Sequence, residues 1–150
     1  MTLEQRIVAL AQAIGVDIRA LASQGLGTET GSWLPSVQNA TGYLSRSGRY
    51  TRIGPQVFIE GAFVLNSSKN GGFLIAGLPF PAQSAAPTGG IHVHQYKTAR
   101  TFVALTGEVL PGTATFQMLA ATGEATSLMT FANTFGTQGS LAFSGHYTIA

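Results

Sequence analysis

The chain changes its period once, and that change sets the outline of the fold. Over residues 3–21 the large apolar side chains Leu3, Ile7, Leu10, Ile14 and Leu21 recur at spacings of 4, 3, 4 and 7. In heptad terms Ile7, Ile14 and Leu21 fall at position a, and Leu3 and Leu10 at d. The next d position is Asp17, with Ile18 beside it, so the seam turns polar or shifts sideways. Thr2 and Gln5 form a capping-box signature at the start, and Gly25 and Gly27 supply a stop. A helix of about 22 residues spans roughly 33 Å, yet alone in water it is marginal, and Gly15 weakens it further. It must therefore pack on something, either its own domain or copies of itself in a short parallel bundle. Ile at a with Leu at d favours two strands, but two heptads do not decide the number.

From Gly31 onward the period is two. Leu141, Phe143, Gly145, Tyr147 and Ile149 alternate with Ala142, Ser144, His146 and Thr148, the pattern of a half-buried strand. Gln56–Leu65 carries apolar residues on both faces and reads as a strand covered on both sides. Asn66-Ser67-Ser68-Lys69-Asn70-Gly71 then reads as a hairpin loop leading into Gly72–Leu78. Gly42–Ile53, Ile91–Lys97, Arg100–Val109, Thr113–Ala120 and a weaker segment near Ser127–Phe131 complete the set. Seven or eight short strands with Gly and Pro at the breaks predict a mainly β fold, an antiparallel sandwich or jelly roll preceded by one helix. The expected division is residues 1–26 as an oligomerisation or anchoring helix, 27–32 as a Gly-rich linker and 33–150 as the β head.

Composition narrows the function classes. Charged residues are 9% of the 150, and the net charge is +2, too small to argue for nucleic acid. Hydrophobic residues make up 45%, which excludes disorder. No apolar run reaches membrane-spanning length, so no membrane insertion is expected, and the opening residues lack a basic-then-apolar signal pattern. With no cysteine there is no disulfide, thiolate metal site or cysteine nucleophile. So few charges on so short a chain suggest a surface largely covered by partners.

Three motifs carry a resemblance. Gly48-Arg49-Tyr50-Thr51-Arg52-Ile53-Gly54-Pro55-Gln56-Val57-Phe58-Ile59-Glu60-Gly61 resembles a segment recurrent in small tail-fibre and tail-tip proteins of bacteriophages and prophages. Gly77-Leu78-Pro79-Phe80 is similar to the piece that ends their next hairpin, and Phe143-Ser144-Gly145-His146-Tyr147 to their closing strand. Trp33-Leu34-Pro35 is similar to the opening of the domain. These motifs are turns and core strands, and specify a fold better than a ligand. Gly54 and Gly61 look like turn or bulge positions, and Tyr50 and Phe58 like core or interface aromatics. The resemblance implies a β-sandwich head that trimerises around an axis, a three-helix bundle from the N-terminal segment, a virion location and a role in attachment. The sequence shows no shaft and no triple-helical or β-helical repeat, so a stub fibre, a tip domain or a small capsid-attached fibre is expected.

Few residues suggest chemistry. His92 and His94 place two imidazoles on one strand face, and three copies around an axis would offer six nitrogens to a transition metal such as iron. The competing reading is a solvent-facing pair, and no cofactor is otherwise expected. Glu29, Glu60, Glu108 and Glu124 form no close sequence pair, and no nucleophile elbow is present, so no catalytic residue is assigned and the chain is not expected to be an enzyme. Arg46, Arg49 and Arg52 could meet acidic sugars or a neighbouring virion protein, Arg46 and Arg52 sharing a face if the strand is regular. Trp33, Tyr43, Tyr96 and Tyr147 are candidate sugar platforms, although most aromatics in so small a chain are core.

The expected function is a non-enzymatic virion protein: a homotrimeric short tail fibre or tail tip that binds host cell-surface polysaccharide. The helix residues Leu3, Ile7, Leu10, Ile14, Ile18 and Leu21 would join the copies and meet other virion proteins. Loops carrying Asn66, Ser67, Ser68, Lys69, Asn70, Gln83 and Thr88 would meet the ligand. The alternative is a structural virion component: capsid decoration or cement, a head fibre, or a collar or baseplate adaptor.

Overall fold

In a computed structural model of the chain, residues 2–23, 27–67, 74–98, 102–121, 126–127 and 138–150 are described. Helix α1 runs over Leu3–Ser23. The capping box closes as expected: the Gln5 N–H donates to Thr2 Oγ1 (3.3 Å), and the Thr2 N–H donates to Gln5 Oε1 (2.9 Å). The apolar stripe is not laid against the chain's own sheet. Leu3, Ile7, Leu10, Ile14 and Ile18 are exposed, from 50% at Ile14 to 74% at Leu3. Leu21 lies within the helix, but its side chain is outside the described residues.

The strands are β1 (Thr28–Trp33), β2 (Ser36–Val37), β3 (Gly42–Ile53), β4 (Gln56–Ser67), β5 (Leu74–Ala76), β6 (Gly89–Lys97), β7 (Ala104–Val109), β8 (Thr115–Ala121), β9 (Thr126–Ser127) and β10 (Ser140–Thr148). They form one antiparallel sheet in the order β1-β3-β4-β10-β6-β7-β8-β5-β2, with β9 added on β8. Only Leu34 and Pro35 separate β1 from β2, although these strands sit at opposite ends of that order. The sheet therefore curls into a half-barrel until its two edges approach. Tyr43 on β3 clasps the corner, its hydroxyl accepting from the Val37 N–H at 2.6 Å.

Three expectations change here. The described strands make one curled sheet, where the sequence suggested a sandwich or jelly roll. Alternation tells which face of a strand is buried, but not whether the opposite wall is a second sheet or the same one bent round. Residues 27–32, expected as a linker, contain most of β1, which pairs residue by residue with β3 from Thr28↔Ile53 to Trp33↔Gly48. That segment has too few apolar residues to announce a strand, and its partner provides the reason for it. Finally, β4 and β5 are not a hairpin. β4 pairs with β3 and β10, while β5 pairs with β2 and β8. Of the intended loop, Ser68, Lys69 and Asn70 lie outside the described residues, and Asn66 and Ser67 close β4.

The inside of the curl is the core, with Val57, Ile59, Phe63 and Leu65 from β4, Phe143 and Tyr147 from β10, and Phe116 and Met118 from β8. Trp33 enters it through a slot made by two facing glycines. Gly48 and Gly61 are direct partners across β3 and β4. A side chain on Gly48 would meet the indole at 2.5 Å, and one on Gly61 would meet the Phe143 ring at 2.8 Å. The buried indole N–H donates to two carbonyls, Arg49 O and Glu60 O, both at 3.2 Å. Tyr147, fully buried, joins the last strand to the Gly-Leu-Pro-Phe segment: its hydroxyl accepts from the Phe80 N–H (3.2 Å) and donates to Phe80 O (3.0 Å). Burial pushes that hydroxyl up to about 12. The β3–β4 turn uses Gly54 at φ 57°, where a residue with Cβ would be strained.

Candidate functional site

Because side chains alternate, the residues between the core positions form an outward face. The register gives its rows. One runs Arg49, Glu60, Ser144, His92, Thr106 across β3, β4, β10, β6 and β7. The next runs Thr51, Phe58, His146, Gly90, Glu108 across the same strands. Thr30 and Ser32 of β1 extend the face at one side. Except for Glu108, which lies past its edge, these rows line a groove of ≈ 1240 Å³ that is open to solvent. Four strand spacings make its length roughly 19 Å.

Phe58 is the exposed large apolar side chain of this groove, at 46%, where Ile59 and Ile91 are buried, and His146 stands beside it with ring centroids 6.1 Å apart. At Gly90 the wall drops away, for a Cβ there would meet nothing within 4 Å. Arg49 and Glu60 face one another across β3 and β4. The same two residues give their carbonyls to the Trp33 indole on the opposite side of the sheet, so the core fixes the backbone that carries them. Glu108 accepts from Gln117 Nε2 at 3.2 Å. Glu60 and Glu108 are three strand spacings apart, roughly 14 Å, beyond the carboxylate separation of glycoside hydrolysis.

The arginine triplet divides. Arg46 and Arg52 share one face, as expected of a regular strand, and Arg49 points to the other. Arg52 is engaged: its guanidinium meets Glu29 at 3.6 Å, its Nε donates to Gly54 O at 2.9 Å, and it lies 5.3 Å from the Phe80 ring centre. Arg46 stacks on Tyr43 at 4.8 Å. Beside Arg52, the Tyr50 hydroxyl donates to Glu29 Oε1 at 2.8 Å, and that bond raises it above the ordinary tyrosine range.

His92 and His94 are both exposed, with ring centroids 5.1 Å apart. They do not occupy equivalent ladder positions. Val93 pairs with Phe143 and Gln95 with Ala142, so His94 is the extra residue of a bulge. It lines a second, smaller hollow of ≈ 470 Å³ next to Ala62 and Ala142. Among the described residues no group of three or more His, Cys, Asp or Glu is placed to hold a metal.

Other candidates are spoken for. Thr88 is buried, and its hydroxyl donates to Val109 O. Gln83 is half-buried, with Nε2 donating to Pro87 O at 3.1 Å and its N–H donating to Thr148 O at 2.8 Å. Of the proposed platforms, Trp33 and Tyr147 are core, Tyr43 holds the β2 corner, and Tyr96 donates to Phe102 O at 2.9 Å. The groove residues Phe58, Glu60, Ser144 and His146 were not singled out by sequence as a group. Their common signal is that they occupy alternate positions, and only strand order brings those positions side by side.

No protein-family model matches the chain, and no curated protein matches it. Among solved structures, the crystal structure of Dettilon tailspike protein (gp208) is similar, with a TM-score of 0.66 and 15% sequence identity. The likeness covers 81% of this chain and 24% of that one, so the chain spans about a quarter of the tailspike's length. No helix among the described residues is long and apolar enough to cross a membrane. The curled antiparallel sheet described above is a fold that this chain shares with part of a phage tailspike.

Proposed function

We propose that the chain is a non-enzymatic phage virion protein of the tail, a homotrimeric short fibre or tip that attaches the particle to host surface glycan. The observation that carries this reading is the likeness of fold to part of a tailspike, and the bare stripe of α1 supports its oligomeric side. Side chains as apolar as Leu3, Ile7 and Leu10 are exposed in the single chain, and copies packing along the a/d seam would cover them. Three sites on one fibre, and several fibres on one particle, would multiply a weak affinity for a single glycan.

Two tests address the two parts. The intact chain, added in excess, is expected to block adsorption of the particles that carry it. Unchanged adsorption contradicts the attachment role. Replacing Ile7 and Ile14 together by Asp should give monomers by light scattering, and an unchanged mass removes the bundle. Capsid decoration or a baseplate adaptor is the second reading, favoured by a charge content of only 9%. Under it, the helix substitutions lower particle stability while adsorption by the surviving particles is unaffected.

A further inference from the structure

The outward groove has a chemistry of its own, and it differs from that of the loops. We infer that it is the ligand site, and that it takes a neutral, hydroxyl-rich saccharide laid across β3, β4, β10 and β6, with Phe58 and His146 as the platform and Gly90 as the notch that admits a ring. This deepens the attachment reading and rests on it.

Four observations lead there. First, hydroxyls edge a lining that is otherwise largely apolar: Thr51, Ser144 and Thr106 stand around Phe58 and His146, the combination that suits the apolar face and hydroxyl rim of a sugar ring. Second, Arg49 opposes Glu60, and Glu108 follows beyond Gly90. A guanidinium beside a carboxylate suits the donors and acceptors of sugar hydroxyls, and with Arg49 offset by Glu60 the groove holds no surplus positive charge for an acidic sugar. Third, the basic cluster that would have recognised such a sugar is dispersed, because Arg46 and Arg52 lie on the other face and Arg52 is paired with Glu29. Fourth, Gly90 leaves open space in the middle of an otherwise lined wall, and it sits beside His146 in the adjoining strand. A saccharide ring stacked on Phe58 and His146 would reach into that gap.

Gly90 also makes the test clean. Its φ is outside the left-handed region and a Cβ there meets nothing, so Gly90→Val fills the notch without disturbing the core. The probe is a printed array of bacterial polysaccharides, neutral ones alongside uronic-acid and phosphate-bearing ones, read with the intact chain, Gly90→Val and Phe58→Ala. Each variant's melting temperature and light-scattering mass are measured in parallel. The intact chain is expected to bind neutral polysaccharides, and each variant to lose about tenfold in affinity or more at unchanged mass and melting temperature. Retained affinity in both variants overturns the groove and leaves the attachment reading standing with a site elsewhere. Binding confined to the acidic members overturns the neutral class. A fall in mass in either variant identifies the groove as a contact between copies and overturns the proposal. An intact chain that binds no saccharide at all fails the glycan reading itself.

Discussion

The two faces of the β3–β4–β10 sheet are made by the same strands, one residue out of phase, and they obey different rules. On the inner face every position is answered by another. Gly48 and Gly61 are small because Trp33 lies across them, Trp33 is held because two carbonyls take its N–H, and Phe143 packs against its edge at 6.0 Å. On the outer face Arg49, Phe58, Glu60 and His146 touch solvent, and Gly90 touches nothing. The inner face specifies the fold, and the outer face is left free to be specified by what it meets. The coupling runs through the backbone, because the indole that fills the core also fixes the main chain at Arg49 and Glu60.

Substitutions on the two faces should therefore separate stability from recognition. The largest effect is expected from Trp33→Ala, which empties the glycine slot and removes the indole N–H that two carbonyls share. It should cost about 3–5 kcal/mol in urea unfolding. A loss below about 1 kcal/mol would mean that the slot is not part of the core. Next comes Gly48→Ala, whose methyl would meet the indole at 2.5 Å. Since Phe143 restricts the ring's escape, a cost of about 1–3 kcal/mol is expected, and a neutral result by thermal melting would show that Trp33 can shift freely.

Tyr147→Phe is smaller, about 0.5–1.5 kcal/mol for the hydroxyl's bonds to Phe80. It also carries a pH signature. Burial raises the Tyr147 hydroxyl from 10.0 to about 12, so the folded chain holds that proton more tightly than the unfolded chain does. The stabilisation is complete below pH 10 and is lost as pH rises from there towards 12. Alkaline unfolding of the intact chain should accordingly steepen in that window, and the phenylalanine variant should lose the steepening. The smallest effect on stability belongs to the outer face. Phe58→Ala should change the unfolding free energy by about 0.5 kcal/mol or less. A large loss would erase the distinction between the faces.

Much of this was legible in the sequence, and the limits are physical. The helix, its capping box and the bounds of β3 and β10 follow from local signals that need no partner: a Thr-x-x-Gln pair, a period near 3.6 and a period of two. The strand β1 was not legible, because Thr-Glu-Thr-Gly-Ser-Trp becomes a strand by pairing with β3. The curl was not legible either. Leu34 and Pro35 join opposite ends of the sheet, and nothing in two residues announces a topology. For the site, alternation put Ser144 and His146 on the polar side of their strand and left Glu60 on an ordinary solvated face. Strand order alone sets Glu60 beside Ser144 and Phe58 beside His146. Alternation along β3 was enough to separate Arg49 from Arg46 and Arg52, and that division was legible in the sequence.

Where the protein sits on the particle decides between attachment and decoration. Intact particles from the strain that encodes the chain should be labelled with immunogold against residues 31–150. Label at the tail tip is the predicted result, and it would make the outward groove the place to look for a receptor. Label spread over the capsid would contradict the attachment reading and put decoration in its place.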